Sequence, residues 1–113
     1  MDDASRERER QARIFALRVI ASVSGFPKTK VSSVLERQLV DAGTSIGANY
    51  REANRAESDG DFIRKIGAVE KEASETRYWL ELCQEFKIGE AVECTWLLQE
   101  SDAPPSALRP PQS

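Results

Sequence analysis

The sequence predicts an all-α fold, a helical bundle with a short fourth helix. Two observations carry that prediction. Apolar residues recur at three- and four-residue steps along long stretches, and short breaks rich in glycine, proline, serine and aspartate separate those stretches. The composition agrees: 40% apolar and 31% charged residues over 113 positions is a globular, helix-rich profile, enough for one core. The expected organisation is one domain over residues 1–100, followed by a proline-rich, disordered tail over 101–113.

The first helix is expected over residues 5–24, with Ser5 as N-cap and Glu7 and Glu9 suiting its positive start. Its apolar face reads Ile14, Leu17, Ala21 and Ser24, widened by Phe15, Val19 and Ile20. Gly25-Phe26-Pro27 ends it, glycine through a left-handed conformation and proline by breaking the ladder. The second helix is expected over 30–55, capped by Thr29, with a near-heptad face of Val31, Leu35, Leu39, Ala42, Ile46, Asn49 and Ala53. Its middle is unusually small: Ala42, Gly43, Thr44, Ser45, Gly47 and Ala48. Each glycine inside a helix costs about 1 kcal/mol against alanine, so a closely packed neighbour is expected there.

The third helix is expected over 61–87, with Ser58 and Asp61 as capping candidates. Phe62, Ile66, Val69, Ala73, Thr76, Leu80 and Cys83 form the most regular face in the chain. Trp79, Leu82 and Phe86 add a second apolar row, so this helix is expected to make contacts on two sides. Gly89 then leads to a short fourth helix over 90–99, with Ala91, Val92, Thr95, Trp96 and Leu98 as its apolar face.

Several function classes are excluded. The chain has no histidine, which removes His-dependent acid–base, nucleophilic and metal chemistry. Its two cysteines cannot build a four-thiolate zinc site, and no phosphate loop is present. No enzyme activity and no cofactor are therefore expected. Cys83 and Cys94 read as small apolar filler, with a redox pair as the alternative. No run reaches the roughly 18–20 apolar residues that span a bilayer, and residues 1–13 lack the apolar segment of a signal peptide. The expected location is the cytoplasm, with no membrane partner.

Charge is uneven around a net −3: residues 1–30 hold seven basic against four acidic groups, residues 31–75 six against nine. Arg6, Arg8, Arg10 and Arg13 are candidate nucleic-acid contacts, or a solvated helix start compensated by Glu7 and Glu9. Arg51, Arg55, Arg64 and Lys65 are the other candidates. Ser45, Asn49 and Glu52 share a face of the second helix, and Glu72 and Glu75 share one on the third. Together they read as a polar layer that fixes helix register, or as a ligand contact. Trp79, Leu82, Phe86 and Trp96 are expected core or oligomer anchors, the tryptophans having base stacking as an alternative.

An ordered set of motifs resembles a known family. Gln38-Leu39 through Ser45-Ile46, Asn49 and Glu52 match its Q-L-x-x-A-x-x-S-I-x-x-N-x-x-E run. Phe26-Pro27 matches its first interhelix turn, and Ser58, Phe62, Glu72, Glu75, Trp79 and Leu80 match its third helix. On these residues the chain resembles the four helix bundle proteins encoded by intervening sequences of 23S rRNA genes, related to accessory proteins of diversity-generating retroelements. The resemblance implies an antiparallel up-down-up-down bundle that assembles into a ring-shaped homo-oligomer, commonly a pentamer. It implies no enzymatic activity and, for some members, nucleic-acid binding through basic surfaces. The expected function is a self-associating scaffold or adaptor. The alternative is a nucleic-acid-binding accessory protein, for structured RNA or DNA or beside a reverse transcriptase. The chain departs from the family at Ala53, where glycine is usual, and in its short fourth helix.

Overall fold

A computed structural model describes residues 2–102, and the proline-rich segment expected to be disordered lies almost wholly outside them. Four helices follow in order: α1 (Asp3–Val23), α2 (Lys30–Ala53), α3 (Asp59–Phe86) and α4 (Ala91–Asp102). Each is antiparallel to the one before it. Arg8 meets Tyr50 while Val19 meets Gly43, Glu52 meets Lys65, and Arg77 meets Asp102. α4 closes the bundle against α3 and α1, giving an up-down-up-down rod of 46 × 21 × 18 Å.

The helix starts are set by side-chain caps. Asp2 accepts the Ser5 N–H at 2.7 Å, so α1 begins two residues before the expected start and Ser5 is a donor within the first turn. Thr29 accepts the Ser32 N–H and Ser58 the Asp61 N–H, both at 3.1 Å. Asp61 thus lies inside α3, and its N–H is one of the orphan donors that the cap satisfies. The Glu90 carboxylate accepts the N–H groups of Val92 and Glu93 at the start of α4.

The ends differ more from expectation. α1 closes on Ser24 in a right-handed conformation, and among the described residues Gly89 is the one glycine with positive φ, at 87°. α2 ends at Ala53, two residues short of the expected limit. α3 ends on Lys87, whose φ of 58° lets the Ile88 N–H reach the Cys83 carbonyl at 2.9 Å. α4 runs on through Asp102, so Ser101 is helical and buried instead of belonging to the tail.

The core of α3 is the expected one: Ile66, Val69, Ala73, Thr76, Leu80 and Cys83 are buried, with Phe62 at its margin. In α2, Leu35, Leu39, Ala42, Ile46 and Ala53 are buried, joined by Ser32, Gly43 and Tyr50, whereas Val31 is exposed. α1 corrects the expectation. Ala12, Phe15, Val19 and Val23 face the core, and Ile14, Leu17, Ile20, Ala21 and Ser24 are exposed. The two apolar stripes lie on nearly opposite sides of this helix. The stripe carrying Phe15, the one aromatic side chain of this helix, faces inward. α4 shows the same inversion: Cys94, Leu97 and Ser101 are buried, Trp96 and Leu98 flank them, and Ala91, Val92 and Thr95 are exposed.

The small centre of α2 has its physical reason in α1. A methyl built on Gly43 would sit 3.1 Å and 3.2 Å from the Val19 methyls, and one on Gly47 would sit 3.5 Å from the Ala12 methyl. The two helices approach through these positions, and that packing offsets the propensity lost at the glycines.

Candidate functional site

Close approach of α1 and α2 leaves an open groove of about 610 Å³ along their outer side. Ala16, Thr44, Gly47 and Ala48 form its small-residue floor, and Glu9, Arg10, Arg13, Arg51 and Arg55 its walls. Four of the eight cations singled out in the sequence therefore meet in one place. The spacing explains it: Arg51 and Arg55 are one turn apart on α2, and Arg10 and Arg13 one turn apart on antiparallel α1.

Their freedom differs. Arg10 holds Glu7 through two hydrogen bonds of 3.0 Å, and that contact draws the Glu7 carboxyl below its ordinary value. Arg55 donates to the Arg51 carbonyl and pairs with Glu9 at 3.6 Å; Asn54 donates to the same Glu9 at 2.9 Å. Arg13 and Arg51 have no ion-pair partner among the described residues. The remaining candidates lie elsewhere. Arg8 donates to the Tyr50 hydroxyl at 2.6 Å, Arg64 pairs with Asp61, and Lys65 pairs with Glu52 at 2.6 Å. Arg6 is exposed on the first turns of α1.

The polar residues of α2 and α3 divide into separate groups. Ser45 donates to the Asp41 carbonyl at 2.6 Å and Asn49 to the Ser45 carbonyl at 2.9 Å, both within α2. Glu52 reaches α3 through Lys65. Glu72 faces Glu75 and Asp41, with Lys71 beside them. Burial and those two carboxylates push the Glu72 carboxyl above its ordinary value, only partly opposed by Lys71. Among the described residues no three carboxylates or thiolates converge where a metal ion could sit.

The aromatic anchors also separate. Trp79 and Leu82 are half-buried against the core, Trp79 meeting Tyr78 edge-on at 5.1 Å, while Phe86 is 69% exposed. Trp96 sits in a stack that the sequence reading missed. Its ring lies 6.5 Å from Phe15, and the Arg18 guanidinium lies 3.7 Å above it. Arg18 also grips the Glu93 carboxylate at 2.8 Å and 2.6 Å, which draws that carboxyl down. The available signal was a pair of i, i+3 spacings, Phe15 with Arg18 and Glu93 with Trp96, on helices that become neighbours only in the fold. Cys83 and Cys94 are free and buried; burial and the neighbouring Cys94 thiol push Cys83 up to about 11, so it stays a neutral thiol.

Fold and surface define a small antiparallel four-helix bundle whose distinctive chemistry is displayed outside the core. No described helix is long and apolar enough to cross a membrane. The model of the family described as 23S rRNA-intervening sequence protein matches residues 7–104, and the chain belongs to that family. The fold is similar to the crystal structure of a protein of unknown function from the S23 ribosomal protein family of Bacteroides thetaiotaomicron VPI-5482. The TM-score is 0.84 at 31% identity, over 93% of this chain and 94% of that one. No curated protein matches the sequence.

Proposed function

We propose that this bundle is a non-catalytic protein that works by associating with copies of itself, as a scaffold or adaptor, with the ring-shaped pentamer of its family as the expected assembly. The observation that carries this reading is the uncovered row on α1. Ile14, Leu17 and Ile20 are exposed, Leu17 to 56%, on the side of the helix away from its buried stripe. A contiguous aliphatic row left in water is the usual mark of an association surface. Sedimentation velocity tests it. Wild type is expected to sediment well above its 12.6 kDa chain mass, and Leu17→Glu as a monomer. A monomeric wild type at micromolar concentration removes the reading.

A second reading, nucleic-acid binding, rests on the four-arginine groove with its two unpaired guanidiniums. Binding to structured RNA should then be strongest near ~50 mM salt, and replacing Arg13 and Arg51 by alanine should lower the salt slope by about two phosphates. No binding at that salt concentration removes it.

A further inference from the structure

Two faces of this molecule complement each other. The first is the outer side of α1–α2. Arg10, Arg13, Arg51 and Arg55 stand towards one end, and the exposed Leu17 and Ile20 follow along α1. The second is the outer side of the α2–α3 seam. Val34 and Glu52 are eighteen positions apart, about five full turns, so they share one face of α2. Glu52 pairs with Lys65 across that seam, which fixes the antiparallel register and brings the start of α2 beside the end of α3. Along the seam the Glu52–Lys65 pair is followed by Asp41, Glu72 and Glu75, then by Val34, Trp79 and Leu82, and last by the exposed Val31 and Phe86. Both faces therefore read from charged to apolar in the same direction along the rod, one with four arginines beside Glu9 and one with Asp41, Glu72 and Glu75 beside Lys65 and Lys71.

We propose, resting on the self-association reading above, that the occupant of the basic α1–α2 groove is the acidic α2–α3 seam of a second copy of this chain. Arg13 and Arg51 face Asp41 and Glu75 of the neighbour, and Leu17 and Ile20 cover its Val34, Trp79 and Phe86 region. The two faces are different surfaces of one molecule, so the contact is heterologous. Each copy offers a groove to one neighbour and a seam to another, the arrangement that closes into a ring when the rotation allows. Charge complementarity decides the occupant. Glu72 lies near the Glu75 and Asp41 carboxylates with Lys71 beside them, and Arg13 and Arg51 have no ion-pair partner among the described residues; each set supplies what the other lacks.

A charge swap tests the pairing by native mass spectrometry and light scattering, with far-UV circular dichroism confirming helix content. All four positions are exposed, so the fold should tolerate the changes. Arg13→Glu with Arg51→Glu, and separately Asp41→Lys with Glu75→Lys, are each expected to lower the assembled mass to 12.6 kDa. Combining all four changes should restore the wild-type mass, and mixing the two reversed proteins in equal amounts should restore assembly. Wild-type assembly that survives both reversals overturns the pairing and leaves self-association standing. Reversed proteins that stay assembled but lose binding to structured RNA give the groove to nucleic acid and also overturn it. A wild type that is itself monomeric fails the reading beneath it.

Discussion

Three mid-helix glycines, changed one at a time to alanine, probe the α1–α2 packing that creates the groove. Each substitution gains about 1 kcal/mol of helix propensity. At Gly67 of α3 an added methyl meets nothing within 4 Å, so the full gain should appear, roughly 4–8 °C in Tm for a domain of this size. At Gly47 the methyl would rest 3.5 Å from that of Ala12, an ordinary contact, and the change should stabilise at least as much. At Gly43 it would meet both Val19 methyls at 3.1–3.2 Å. Val19 is buried, and a β-branched side chain in a helix has essentially one rotamer, so it cannot turn away. Overpacking of this kind costs about 1–3 kcal/mol, which cancels or exceeds the gain. Thermal and urea unfolding followed at 222 nm, at one fixed protein concentration, gives the three values. Gly43→Ala that raises Tm as much as Gly67→Ala would refute the close approach of α1 and α2.

Other outcomes follow from the same geometry. Gly89→Ala should destabilise by about 1–3 kcal/mol, because φ is 87° and the new methyl would lie 2.7 Å from the Phe26 ring; Lys87→Gly, at φ 58°, should stabilise, and urea midpoints check both. Trp96→Ala should cost about 2–4 kcal/mol, by removing the ring whose contacts with Phe15 and Arg18 tie α4 to α1; hydrogen exchange should rise first in α4. Glu72→Gln should stabilise at neutral pH. The folded carboxyl sits above its ordinary value of 4.5, so ionised Glu72 costs stability above that pH, and the advantage of glutamine should fade as pH falls below it. Glu93 has the opposite sign: its stabilising contact with Arg18 is present above 4.5 and is lost as pH falls through its depressed value, so acid unfolding of Glu93→Gln should show a smaller loss between pH 5 and 3.

Much of the bundle was legible in the sequence because α3 carries an unbroken apolar face from Ile66 to Cys83 and because Thr29 and Ser58, which cap α2 and α3, were among the capping candidates. Gly43 and Gly47 announced a close neighbour through their propensity cost alone. α1 was less legible because Ile14, Leu17 and Ala21 are as periodic as Phe15, Val19 and Val23, and periodicity cannot choose between two stripes. The buried side of short α4 is likewise set by neighbours, through Arg18 and Arg77, more than by its own pattern. The groove could not be read in advance. That Arg10 and Arg13 meet Arg51 and Arg55 depends on the antiparallel register, whereas Arg8, equally basic in sequence, turns to Tyr50.

Native mass spectrometry of the wild-type chain across micromolar concentrations is the most direct measurement of what this surface is for. Burial of the Leu17 row against another copy requires one dominant species at a whole-number multiple of 12.6 kDa. A single-chain mass throughout that range would contradict it and leave the exposed aliphatic row of α1 without a role.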